Sequence, residues 1–186
     1  MKYILLDLGG VVFESTGRSN EKINWTEISR LNHKYGHGLN IGEDLFGVFL
    51  EEYNQVTHQY LGGDEFLAAI FDTLHFNQAL IDLLQPLGPI YILSDNYREN
   101  IAYISQRFHF SSWAQKQFYS FDFGTDKSDP HLFEQLISRL QIPPQDLLFI
   151  DDSPQKLAAA ASLGIEGIRF IDNDQVRNDL ITRSFL

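Results

Sequence analysis

The chain of 186 residues contains no cysteine. That absence excludes disulfides, thiolate metal sites and cysteine nucleophiles together, and it fits a reducing compartment. No apolar run reaches the ~18 residues needed to cross a bilayer. The N-terminal run from Lys2 to Leu6 is too short for a signal peptide and meets Asp7, so it reads as a buried strand, and a cytoplasmic location is expected. Basic residues are scarce: 14 Lys and Arg stand against 25 Asp and Glu, a formal charge of −11. Such a surface repels a nucleic-acid backbone, which demands a basic stripe, so neither nucleic acid nor membrane is expected as a partner. It also leaves any anionic substrate dependent on local cations and backbone amides, while suiting hard divalent cations. The six histidines have no metal-ligand spacing. Repeats, low-complexity tracts and long linkers are absent too.

An apolar fraction of 44% with 21% charged residues can bury one full core and a small insert. The first strand, Lys2 to Asp7, leads into Gly9-Gly10 and the apolar Val11-Val12-Phe13. From Ser15 to Gln85 the pattern turns helical. Apolar residues recur at helical spacing over Asn20–Tyr35 and Leu45–Tyr60, and Asp64 suits the N-cap of a third helix over Glu65–Leu74. Strands and helices then alternate: strand Pro89–Leu93, helix Tyr97–Phe108, strand Gln117–Ser120, helix Pro130–Leu140, strand Leu147–Ile150, helix Pro154–Leu163 and strand Gly167–Ile171. This order predicts an α/β, Rossmann-like three-layer core with a mainly parallel sheet. Residues 1–14 and 86–186 form the expected core, and residues 15–85 an all-helical cap containing no strand.

Asp7, Ser94 and Asp151-Asp152 each end a predicted strand, and ligands of open α/β sheets bind along that edge. Singly, each has a plainer reading: Asp7 as a turn former, Ser94 or Asp151-Asp152 as helix caps, Lys127 as a surface lysine. Together they resemble a known family. Asp7-Leu8-Gly9-Gly10-Val11 is similar to the first motif of haloacid dehalogenase (HAD) hydrolases, usually Asp-x-Asp-Gly-Thr/Val. Leu93-Ser94 resembles the second, Gly124 to Pro130 the third, and Phe149-Ile150-Asp151-Asp152-Ser153 the fourth. The four stand in the family's order and span nearly the whole chain.

The resemblance implies Asp7 as nucleophile, forming an aspartyl-phosphate, and Mg²⁺ held by Asp7, the Gly9 carbonyl and Asp152, with Asp151 in support. It implies that Ser94 donates to a phosphate oxygen, that Lys127 clamps Asp7 and the transferring group, and that Gly10 lets the backbone approach the phosphate. Asp95, next to Ser94, joins the expected substrate contacts. The implied activity is Mg²⁺-dependent hydrolysis of a small phosphomonoester, a sugar phosphate among the candidates, by a cap-covered site.

Three positions depart from the family pattern. Gly9 replaces the second aspartate, which protonates the leaving group and activates water, a contribution of roughly 10²–10⁴ in rate. Asp95 stands where Asn is usual, and Lys156 where Asp or Asn is common. Glu14 and Asp95 are the candidates to replace the missing acid. Lys156 would either compensate Asp95 or supply part of the metal's charge. Two other activities fit Gly9: a weak or inactive relative that binds a phosphorylated ligand or a protein partner, and a metal-independent 2-haloacid dehalogenase, which the Asp151-Asp152 pair argues against. A two-component receiver domain is excluded, because there the acidic pair follows the first strand.

Overall fold

The computed structural model describes residues 2–186; residue 1, which opens the expected core segment, lies outside the described residues. Five strands build one parallel sheet: β1 (Tyr3–Leu6), β4 (Ile90–Ser94), β5 (Lys116–Tyr119), β6 (Leu147–Asp151) and β7 (Glu166–Arg169), in the order β5-β4-β1-β6-β7. The central strands carry apolar residues on both faces. On β1, Ile4 and Leu6 enter one core and Leu5 the other; on β6, Leu148 and Ile150 alternate in the same way with Leu147 and Phe149. Period-two alternation across a sheet covered on both sides makes each strand read as a continuous apolar run.

Helices fill the two faces. Leu80, Ile81 and Leu84 of α4 (Gln78–Leu84), Ile101 and Ile104 of α5 (Arg98–Arg107), and Val176 and Leu180 of α8 (Asn173–Thr182) cover one. Leu132, Phe133 and Leu136 of α6 (Pro130–Leu140), with Ala159 and Ala160 of α7 (Pro154–Ala161), cover the other. α6 begins and ends where the sequence places it, with Asp129 as N-cap and Pro130 at its first position. The winding reverses across β1, so the strand ends around β1 form the switch point where such sheets bind ligands.

Between β1 and β4 the chain forms α1 (Trp25–Ile41), α2 (Phe46–Thr57) and α3 (Gly63–Phe71), which share an apolar cluster of their own built on Leu31, Phe49, Tyr53 and Phe66. The insert is helical except at one place. Leu74–Phe76 forms a strand, β3, antiparallel to β2 (Phe13–Ser15), with Phe13 opposite Phe76. Three residues are too few to show a strand period, and β3 exists because β2 pairs with it; α3 accordingly stops at Phe71 rather than at Leu74. α4, within the segment expected as cap, packs on the sheet instead, because its four buried apolar residues complete that face of the core. Asp64 lies in the first turn of α3, whose N-cap is Gly62.

Candidate active site

Asp7 follows directly from β1, and its N–H donates to the Ile150 carbonyl at 3.1 Å, carrying the β1–β6 ladder one residue beyond the strand. The next turn curls back on itself, with the Val12 and Phe13 N–H groups both donating to the Leu8 carbonyl. Gly10 sits inside that turn at φ +75°, and a Cβ there would collide with the Asp152 carboxylate. Only glycine meets both conditions. Gly9 is different: a Cβ on it would meet nothing within 4 Å. Its carbonyl accepts none of the loop's backbone hydrogen bonds.

Ser94 and Asp151 close β4 and β6, so parallel pairing to β1 brings both beside Asp7. Lys127 arrives from the loop after β5. An Asx turn, with the Ser128 N–H bonded to Asp126 Oδ1 at 2.9 Å, shapes that loop. The Lys127 ammonium is fully buried. It lies 2.6 Å from Asp7 Oδ1, 2.7 Å from Asp151 Oδ2 and 3.2 Å from the Leu93 carbonyl. Its three protons thus have three acceptors. The Leu8 N–H adds a second bond to Asp7 Oδ1 at 2.8 Å, which leaves Asp7 Oδ2 without a hydrogen bond. Asp151 Oδ1 is taken by the Ser153 N–H at 2.8 Å.

Charge is the dominant feature. Burial pushes the Asp7 carboxyl up to about 6; Asp151 adds to the rise, while Lys127 and Lys156 oppose it. For Asp151 burial also acts upward, but the two lysines and the Ser153 N–H outweigh it and hold this carboxyl below its usual range. Asp7, Asp95, Asp151 and Asp152 face Lys127 and Lys156, so four negative charges meet two positive ones.

A divalent cation would balance that excess of two. The donor set fits one: Asp7, Asp151 and Asp152 each offer a carboxylate oxygen within 4.8 Å of the others. Asp151 has both oxygens engaged, whereas Asp7 Oδ2 is free and Asp152 is exposed beside the open edge at Gly9 and Gly10. Hard carboxylate and carbonyl oxygens suit Mg²⁺. The buried Ser94 hydroxyl makes no hydrogen bond among the described residues, an orphan that such a core tolerates only where something else completes it.

The proposed stand-ins for the missing acid are both engaged. Glu14 Oε1 accepts from the Asn77 amide at 2.7 Å, in a network with Asn173 that ties the β2–β3 ribbon to α8. Asp95 Oδ1 accepts from the Lys127 N–H at 2.9 Å and Asp95 Oδ2 pairs with Lys156 at 2.9 Å. Both Asp95 oxygens thus have protein partners, the Lys127 backbone and the Lys156 ammonium. The sequence sets Lys156 against Asp95 through their two departures from the family pattern; the contacts of Glu14 with Asn77 and of Asp95 with the Lys127 backbone have no such signal.

The insert meets the site's outer loops. The Ser120 hydroxyl donates to the Asn40 carbonyl at the end of α1, at 2.6 Å, and accepts from the Asn96 N–H at 3.2 Å. His37 lies 3.4 Å from Asp126, and Phe46 stacks on Tyr97 at 5.6 Å. Among the described residues, no helix is long and apolar enough to cross a membrane.

The comparisons agree with this fold. A HAD family enzyme from Bacteroides thetaiotaomicron, solved in complex with magnesium and inorganic phosphate, superposes with a TM-score of 0.74 at 21% identity, over 93% of this chain and 96% of that one. The flavin mononucleotide hydrolase 1 of Arabidopsis thaliana is 30% identical over 77 residues, 41% of this chain and 31% of the relative. The drimenol cyclase drtB of Aspergillus calidoustus is 21% identical over 189 residues, 97% of this chain and 36% of the relative. The chain thus spans about a third of the length of the curated relatives it matches. A model of the haloacid dehalogenase-like hydrolases matches residues 1–164. With that match over most of its length, the chain belongs to the haloacid dehalogenase-like hydrolase family.

Proposed function

We propose that this hydrolase cleaves a small phosphomonoester in a Mg²⁺-dependent reaction, a sugar phosphate being one candidate, with Asp7 as nucleophile. The observation that carries the reading is the state of the Asp7 carboxylate. One oxygen is fixed by Lys127 and the Leu8 N–H, and the other makes no hydrogen bond among the described residues. A carboxylate held by one oxygen presents the second in a single direction, which is what in-line attack needs. Asp7 Oδ2 would attack phosphorus, the ester P–O bond would break, and water would then release phosphate from the aspartyl-phosphate. Mg²⁺, held by Asp7, the Gly9 carbonyl and Asp152 with Asp151 behind them, would neutralise charge between carboxylate and phosphate. Ser94 would give its free hydroxyl to a phosphate oxygen, and Gly10 would keep the backbone close to that group. Lys127 would keep Asp7 ionised and oriented. The α1–α3 insert, with its contacts from Asn40 and His37, would act as the cap that limits water and selects substrate.

The names of two relatives support this reading: one is a hydrolase of flavin mononucleotide, and the other binds magnesium and inorganic phosphate. The test is phosphate release from a panel of phosphomonoesters with Mg²⁺, comparing the wild type with Asp7→Asn. Turnover that survives the substitution refutes the nucleophile assignment. Gly9 and the engagement of Glu14 and Asp95 favour a second reading, a phosphate-binding relative with little turnover. Mg²⁺ and phosphate binding without release from any ester would establish it. The unengaged Asp152 carboxylate weighs against metal-independent dehalogenation, and halide release from a 2-haloacid without metal would reverse that judgement.

A further inference from the structure

We propose that Lys156 is a second phosphate-binding cation of this site and that Asp95 is the residue that aims it; the inference deepens the phosphomonoester reading and rests on it. Lys156 occupies the third position of α7. There the unbonded N–H groups of the helix's first turn make a cation unfavourable. A residue placed against local preference calls for a compensating role.

Two contacts define that role. Lys156 Nζ is 2.9 Å from Asp95 Oδ2 and 4.0 Å from Asp7 Oδ2, the nucleophile oxygen that Lys127 leaves free. The two lysines therefore flank Asp7 through different oxygens. They also differ in what they have left to give. Lys127 spends all three protons on protein acceptors and is sealed from solvent. Lys156 has one close partner and a side chain that is 25% exposed, so it keeps donors for an incoming anion. A phosphorus atom about 3–3.5 Å from Asp7 Oδ2, ready for attack, brings its oxygens within reach of this ammonium.

Asp95 explains why a carboxylate stands here. Oδ1 accepts from the Lys127 backbone N–H and Oδ2 from Lys156, so one side chain fixes both lysine-bearing segments. An amide in the same orientation would turn an NH2 donor, in place of an oxygen, towards one of these two donors. In a site where Gly9 supplies no proton, a fixed cation offsets the charge that builds on the phosphoryl oxygens.

The experiment measures binding of inorganic phosphate by calorimetry with Mg²⁺ present, so it does not depend on turnover. The variants are Lys156→Met, Lys156→Arg and the double substitution Asp95→Asn/Lys156→Asn, which removes the pair at constant net charge. A Mg²⁺-dependent rise in melting temperature checks that each variant keeps its fold. Lys156→Met is expected to weaken phosphate at least about tenfold, the loss of one charge-assisted hydrogen bond. Lys156→Arg should stay within a few-fold of the wild type, and the double variant should be as weak as Lys156→Met. Phosphate affinity in the double variant equal to that of the wild type would reduce the pair to a structural salt bridge and overturn the inference, as would a wild type that binds no phosphate. Loss of phosphate binding in Lys156→Met, with no ester turned over by the wild type, sinks the hydrolytic reading and leaves this one standing.

Discussion

Gly9→Asp asks whether the missing acid limits this protein. A Cβ at Gly9 meets nothing within 4 Å, and the backbone there is not among the positive-φ glycines, so the side chain enters without strain. General acid–base help is worth roughly 10²–10⁴ in rate, or about 2.7–5.4 kcal/mol of barrier at 1.36 kcal/mol per tenfold. Against this stands one more carboxylate in a site that already has four acids and two lysines. Extra repulsion falls on the anionic substrate, so KM should rise while kcat gains. The expected result is a kcat at least ~100-fold above the wild type, since even the lower bound for a placed acid reaches that. Gly9→Asn, of similar size but without a proton to give, should show no gain. The assay is steady-state phosphate release with saturating Mg²⁺, together with acid-quench trapping of aspartyl-phosphate, which should accumulate more in the wild type than in Gly9→Asp. A folded Gly9→Asp protein with unchanged kcat would refute the reasoning, because the natural protein would then obtain its proton elsewhere.

Three further outcomes follow from the same geometry. Ser94→Ala should leave stability in urea nearly unchanged, because the hydroxyl makes no hydrogen bond in the fold, yet weaken phosphate binding; equal phosphate affinity would remove Ser94 from the site. Lys127→Met should cost about 3–5 kcal/mol in urea unfolding, since the buried Asp7 and Asp151 carboxylates lose the ammonium they share; a loss below 1 kcal/mol would show that Lys156, water or the cation replaces it. Mg²⁺ should raise the melting temperature of the wild type by mass action, and Asp152→Asn should largely abolish that rise. An undiminished rise would place the cation elsewhere.

Much of this protein is legible along the chain because it is written in near neighbours. The apolar runs ending at Asp7, Ser94 and Asp151 mark the strands β1, β4 and β6, since strands buried on both faces need no polar alternation. Asp129-Pro130 marks the start of α6, because capping is a contact between adjacent residues. Parallel order then brings those strand ends together, so the candidate site follows from sequence and topology. What only the tertiary structure decided are contacts with no local trace. β3 is a strand because β2 lies beside it, and α8 shows just two buried apolar residues to signal a helix. Glu14 turns to Asn77, and the Lys127 backbone N–H binds Asp95. Sequence identifies which charges are present. Which of them meet depends on strand register and loop path, and at these burials a few ångströms separate a ligand from a counterion.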